Sequence, residues 1–193
     1  MEKSIERVLQ ETDVQKKKWP TLMLTKMSGM IAISIVLVYL IHFPVFPVVA
    51  FLEYDPADIP ILIGTFAFGP VGGILLTIVT SVIQGMTVSA ASGIYGILMH
   101  IIATSTLVIT AGLIYKYHKT KCGAAIALLC SVAAMTVIMV LANLLITPVF
   151  MGVPVGIVWK LMPFIAGFNA IKAGINGAVT FLIYKRISSV LYK

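Results

Sequence analysis

Asn169, Lys172 and Asn176 stand within FNAIKAGIN, residues 168–176, in the last long apolar run of the chain. Spaced i, i+3 and i+7, they share one face of a helix. A lysine at the centre of a membrane-spanning helix costs roughly 2.5–3.5 kcal/mol on translocon insertion scales. Lys172 lies roughly a dozen residues from either end of its run, too deep for its ammonium to snorkel to an interface. It must therefore meet a carbonyl or carboxylate inside the protein, or a ligand in a wet cavity. An ionisable group at this depth is by default a functional candidate.

Other polar residues sit at matching depth. Asn143 precedes LLITPVFMG, where Pro148 is expected to end a helix, and the final run enters from that same side. Asn143, Asn169 and Lys172 are thus expected to converge in the outer half of a bundle. His100 lies at comparable depth and reads equally well as a structural or a ligand-facing histidine. Donors and acceptors without a fixed carboxylate suit a neutral ligand with a polar edge better than an anion or a metal.

The elements that must position these residues are apolar runs. Hydrophobic residues make up 60% of the 193 residues, charged residues only 11%, and mean hydropathy is +1.05. Ordinary soluble domains carry about 25% charged residues. The composition indicates an all-α, polytopic membrane protein. The runs read as six spans: about 22–43, 58 to the FGPVGG break at 68–73, 71–88, 93–117, 123–147 and 160–184. The Gly-Pro and Gly-Gly pairs of the break separate the second span from the third. Residues 1–21 read as a charged, solvated tail and 22–193 as one six-helix membrane domain.

Charge placement supports an even number of crossings. With the N-terminus in the cytoplasm, Lys3, Arg7, Lys16, Lys17, Lys18, Lys26, Lys116, Lys119, Lys121, Lys185, Arg186 and Lys193 all fall inside. Only Lys160, outside, and Lys172, within a span, depart from that side. The positive-inside rule then places both termini in the cytoplasm. The net charge of +7 follows from topology and needs no nucleic acid.

The loop between the first two spans carries LEYDPADIP, with Glu53, Asp55 and Asp58 beside Pro56 and Pro60. The prolines stiffen it where it re-enters the bilayer. Asp58 reads as the N-cap of a helix starting at Ile59, with Pro60 in the first turn. A calcium cage of roughly six to eight oxygens is not evident. Cys122 and Cys130 lack metal or disulfide spacing and read as small core residues. No GxSxG, HExxH or GxxxxGK[ST] occurs, so no catalytic residues are expected and ATP hydrolysis by a P-loop mechanism is excluded. In the first span, Ser28, Gly29 and Ala32 form a small-residue patch where another helix can approach closely.

Several ordered stretches resemble one family. FLEYDPADIPILIGTFAFGPVGGI at 51–74 is similar to the first loop and second span of the riboflavin-specific substrate-binding subunits, or S components, of energy-coupling factor (ECF) transporters. SGIYGILMHIIATSTLVITAGLIYK at 92–116, NLLITPVFMG at 143–152 and GFNAIKAGINGAVTFLIYKR at 167–186 resemble that family's fourth, fifth and sixth spans. The resemblance covers about 25–190. It departs in span three, where Thr80 and Ser81 replace a Lys-Asn pair common in relatives.

The resemblance implies a six-helix bundle in a prokaryotic cell membrane, with one riboflavin in a cavity near the extracellular side. It implies that Asn143, Asn169 and Lys172 hydrogen-bond the flavin, with His100 a weaker candidate, and that Leu52, Glu53, Tyr54 and Asp55 belong to a lid. It implies docking of Ser28, Gly29 and Ala32 on an EcfT-like transmembrane coupling subunit that works with two cytoplasmic EcfA-like ATPases. Riboflavin would be cargo, with no resident cofactor. Another vitamin such as pantothenate, or a flavin phosphate such as FMN, is the alternative cargo.

Overall fold

The computed structural model describes residues 2–191, with side chains described for 21–184 and Arg186. Five helices dominate: α1 Glu2–Leu40, α2 Asp58–Met86, α3 Gly93–Tyr117, α4 Lys121–Met151 and α5 Val155–Leu191. Two short antiparallel strands, β1 Phe43–Pro44 and β2 Glu53–Tyr54, pair Phe43 with Tyr54 across the loop between α1 and α2. The expected charged tail is helical backbone continuous with α1, and its side chains before Thr21 lie outside the described residues.

All five helices are long and apolar enough to cross a membrane, over Thr21–Leu40, Asp58–Met86, Ala90–Tyr117, Lys121–Met151 and Val155–Tyr184. The sequence predicts six spans; here its second and third are one element, α2, broken at Gly69. Gly69 has φ 82 and ψ 176, which a residue without Cβ adopts readily. A Cβ added at Gly64 would strike Leu76 and Met30, and one at Gly73 would strike Thr65. On a straight helix Gly64 and Leu76 would stand roughly 18 Å apart. The two halves of α2 therefore fold back on each other at Gly69, with glycines where the backbones come closest.

This reversal organises the bundle. Gly112, near the end of α3, lies against Pro70 and Thr65, so the α2 break and the α3–α4 connection share one end. The loop 41–57 and the α2–α3 and α4–α5 connections share the other, where Phe150 packs against both Phe51 and Tyr95. The main core joins Leu62, Leu76, Leu107, Val108, Ala127 and Met135. A second cluster of Val49, Val158, Met162 and Ile165, with Phe46, Phe51 and Leu52 against it, seats the 41–57 loop on α5.

Three local expectations are corrected. Pro148 does not end its helix: α4 continues to Met151, and Gly152, with φ 65, terminates it through a bond from its N–H to Pro148 O. A proline within the last turn forfeits its own backbone bond without stopping the turn that follows. Asp58 is not the cap, which is Ala57 without any side-chain bond. Its carboxylate turns inward instead, to partners described below. Cys122 and Cys130 are exposed rather than core, since the outer helix faces of this chain are themselves apolar.

Candidate functional site

The loop end of the bundle contains a cavity of about 110 Å³, partly open to solvent. Its walls come from five places. The loop supplies His42, Phe51, Leu52, Glu53 and Asp55, and the second half of α2 supplies Ser81 and Gln84. Met99 and His100 of α3 and Met135 and Met139 of α4 line it further, with Phe168, Asn169 and Lys172 of α5. Apolar faces with a few converging polar groups are the usual make-up of an organic-ligand pocket.

Lys172 is buried, and its Nζ donates to Asp55 Oδ2 at 2.7 Å. The expectation of a site without a fixed carboxylate is thus overturned. A carboxylate reaches the ammonium from the loop, 117 residues earlier in the chain. That spacing is why the pair cannot be seen by inspecting α5 or the loop alone. Asp55 also accepts from Ala57 N at 3.1 Å and from Gln84 Nε2 at 3.2 Å. Burial works to raise the Asp55 pKa, but the neighbouring Lys172 ammonium outweighs it and holds the carboxyl at about 2. An ammonium carries three donors, and Asp55 takes one of them.

Asn176, the third member of the polar stripe, is fully used inside the protein. Its Nδ2 donates to Asp55 O and to Asp58 Oδ2, both at 3.0 Å, while its Oδ1 accepts from Tyr54 Oη at 3.0 Å. Burial, reinforced by Asp55, raises the Tyr54 phenol, which keeps its O–H as the donor. Thr104 Oγ1 completes the Asp58 carboxylate at 2.7 Å. Tyr54 and Asp58 therefore brace the loop against α3 and α5 and do not line the cavity.

The remaining predicted residues divide by position. Asn169 lines the cavity and anchors itself by donating Nδ2 to Ile165 O at 2.8 Å. Asn143 lines an adjoining smaller pocket that shares Phe51, Leu52, Ser92, Gly96 and Met99 with the main one. There Asn143 donates to Met139 O and accepts from Thr147 Oγ1, each at 2.8 Å. Glu53 is half-buried, with its Oε2 2.6 Å from His42 Nε2. Leu52 packs in the loop cluster. Ser28, Gly29 and Ala32 are exposed on α1, far from these groups in the chain, and Gly29 has open space where a Cβ would be.

His100 belongs to the site: its Nδ1 lies 2.8 Å from Ser81 Oγ and its Nε2 4.0 Å from Asp55 Oδ1. Gln84, Ser81 and His42 were not legible as site residues. The one available signal was a glutamine, Gln84, inside an otherwise apolar run.

The family described as "ECF transporter, substrate-specific component" matches residues 22–184. The chain is 27% identical over 180 residues to Riboflavin transporter RibU of Staphylococcus aureus (strain TCH60), covering 87% of this chain and 91% of that protein. It is 29% identical over 129 residues to Riboflavin transporter FmnP of Bacillus subtilis (strain 168), covering 66% and 67%. A solved structure described as "Structure and mechanism of the S component of a bacterial ECF transporter" superposes with a TM-score of 0.77 at 27% identity, covering 90% of this chain and 99% of that one. With the matched region taking in the larger part of the chain and the whole lining of the polar cavity, this chain belongs to the substrate-specific components of ECF transporters.

Proposed function

We propose that this chain binds riboflavin and mediates its uptake as the substrate-binding subunit of an ATP-driven ECF transporter; it is not itself an enzyme. The observation that carries the reading is the cavity at the loop end, where the free donors of Lys172 and Asn169 meet apolar walls of Phe, Leu and Met. An isoalloxazine presents flat apolar faces and one edge of alternating donors and acceptors, and this lining matches both. Two curated relatives named riboflavin transporters point to the same ligand. Asn143, from the adjoining pocket, extends the set of groups that read the flavin, and residues 51–55 serve as the lid.

The two halves of α2 count as separate membrane segments, which makes a six-segment bundle over 22–193 with a tail at 1–21. Both termini then lie in the cytoplasm of a prokaryotic cell, and the cavity opens outward. The exposed face of α1 at Ser28, Gly29 and Ala32 docks on a transmembrane coupling subunit served by two ATPases. Single cysteines at positions 53 and 119, in a background lacking Cys122 and Cys130, test the orientation. Labelling of position 53 only from the cytoplasmic side overturns it.

Purified protein is expected to carry flavin absorbance and to quench riboflavin fluorescence on titration. FMN is expected to bind more weakly, because its phosphate would meet the Glu53 and Asp55 carboxylates. Binding of pantothenate or FMN in preference to riboflavin overturns the ligand assignment.

A further inference from the structure

Three buried polar atoms on the cavity wall have no hydrogen-bond partner among the described residues: His42 Nε2, Gln84 Oε1 and His100 Nε2. Of these, only His42 Nε2 has a carboxylate close by, Glu53 Oε2 at 2.6 Å. Gln84 is only 5% exposed. Leaving a buried acceptor unpaired is costly, so Gln84 Oε1 and His100 Nε2 at one cavity mark a place where a partner arrives from outside the chain.

The chemistry of both atoms follows from their neighbours. Gln84 Nε2 donates to Asp55 Oδ2, and a carboxylate can only accept, so the amide is locked with Oε1 turned away from it. Ser81 spends its one hydrogen on Thr77 O at 2.7 Å. Its oxygen can then only accept from His100, which places the imidazole hydrogen on Nδ1 and, in the neutral ring, leaves a lone pair on Nε2. At 4.0 Å from Asp55 Oδ1, that nitrogen lies beyond hydrogen-bond reach of the carboxylate. The two open groups are both acceptors, and they flank Asp55 from α2 and α3.

We infer that Gln84 and His100 form a hydroxyl-reading subsite that accepts hydrogen bonds from a polyol chain on the ligand. A flat ring whose edge is read by Lys172 and Asn169 of α5 leaves its side chain to be held by α2 and α3. For riboflavin, that side chain is the ribityl group; in this form the inference rests on the flavin reading proposed above. Ser81 acts as a positioning residue, holding the imidazole in the tautomer that presents a lone pair.

The test compares riboflavin with lumiflavin, which has the same ring system but a methyl in place of the ribityl chain. Fluorescence quenching by the full-length, detergent-purified chain gives both dissociation constants. Wild type is expected to prefer riboflavin by at least about tenfold, from two or more neutral hydrogen bonds. Gln84→Met and His100→Phe should each weaken riboflavin about three- to tenfold and leave lumiflavin within about twofold. The lumiflavin control matters because Gln84→Met also removes a bond to Asp55. Damage to the Lys172 side of the site would weaken both ligands.

Equal affinity of wild type for the two flavins overturns the subsite even if neither variant folds. Equal losses for both ligands in folded variants overturn it too, as does unchanged riboflavin binding. Wild type that binds neither flavin defeats the riboflavin reading itself, a result distinct from loss of discrimination.

Discussion

Lys172 Nζ lies 2.7 Å from Asp55 Oδ2, so the most deeply placed cation of α5 and a carboxylate of the α1–α2 loop hold each other. The contact joins two walls of the cavity, α5 and the loop. Because the ammonium keeps two further donors, one residue can both secure the loop and face a ligand.

Removing one member of this pair should separate the two roles. Lys172→Met leaves the Asp55 carboxylate buried without its cation, and the ligand-free protein should lose about 3–5 kcal/mol of stability. Adding Asp55→Asn should restore much of that, since the amide carries no charge to strand. Riboflavin affinity should stay low in both, by roughly ten- to hundredfold. Melting of the empty proteins alongside fluorescence titration decides it. Single and double variants melting alike would show that the pair is not what stabilises the loop.

Asn169 and Asn176 sit on the same helical stripe yet should respond oppositely to leucine. Asn176→Leu strips partners from Asp58 Oδ2, Asp55 O and Tyr54 Oη, and should cost about 3 kcal/mol or more of stability. Flavin affinity of the folded fraction should change little. Asn169→Leu loses one bond to its own helix and a cavity-facing amide, so affinity should fall while melting shifts little. A reversed pattern would reassign the two.

Acid should loosen the loop through Asp55. Its folded pKa is about 2, below the ordinary 3.8, so its contribution to stability is complete above about pH 4 and fades as pH falls through about 2. The melting temperature of wild type should decline below pH 4, and the decline should be shallower in Asp55→Asn. Identical acid profiles would remove Asp55 from the explanation.

Bulk on the exposed face of α1 should affect transport without affecting the site. Ser28→Leu and Ala32→Leu project away from the cavity, so riboflavin binding should match wild type. Uptake by cells carrying the complete transporter should drop, because a close helix contact tolerates little added volume. Normal uptake would count against this docking face.

Local sequence determined the membrane class, the runs that become helices and the importance of Lys172. Each of these rests on a signal within about one helix length: hydropathy, a glycine-proline break, or a charge with nowhere to escape. The break at 68–73 was legible because Gly69 needs a backbone conformation that side chains disfavour. What only the tertiary structure decided was pairing. In the sequence Asp55 reads as part of a loop lid and Asp58 as a helix cap, yet both are buried against Asn176, and Asp55 against Lys172, more than 110 residues away. Gln84 and His100 likewise acquired meaning only when α2 and α3 were brought beside the loop. A sequence shows that a buried charge must be satisfied; which distant group satisfies it depends on how the helices pack.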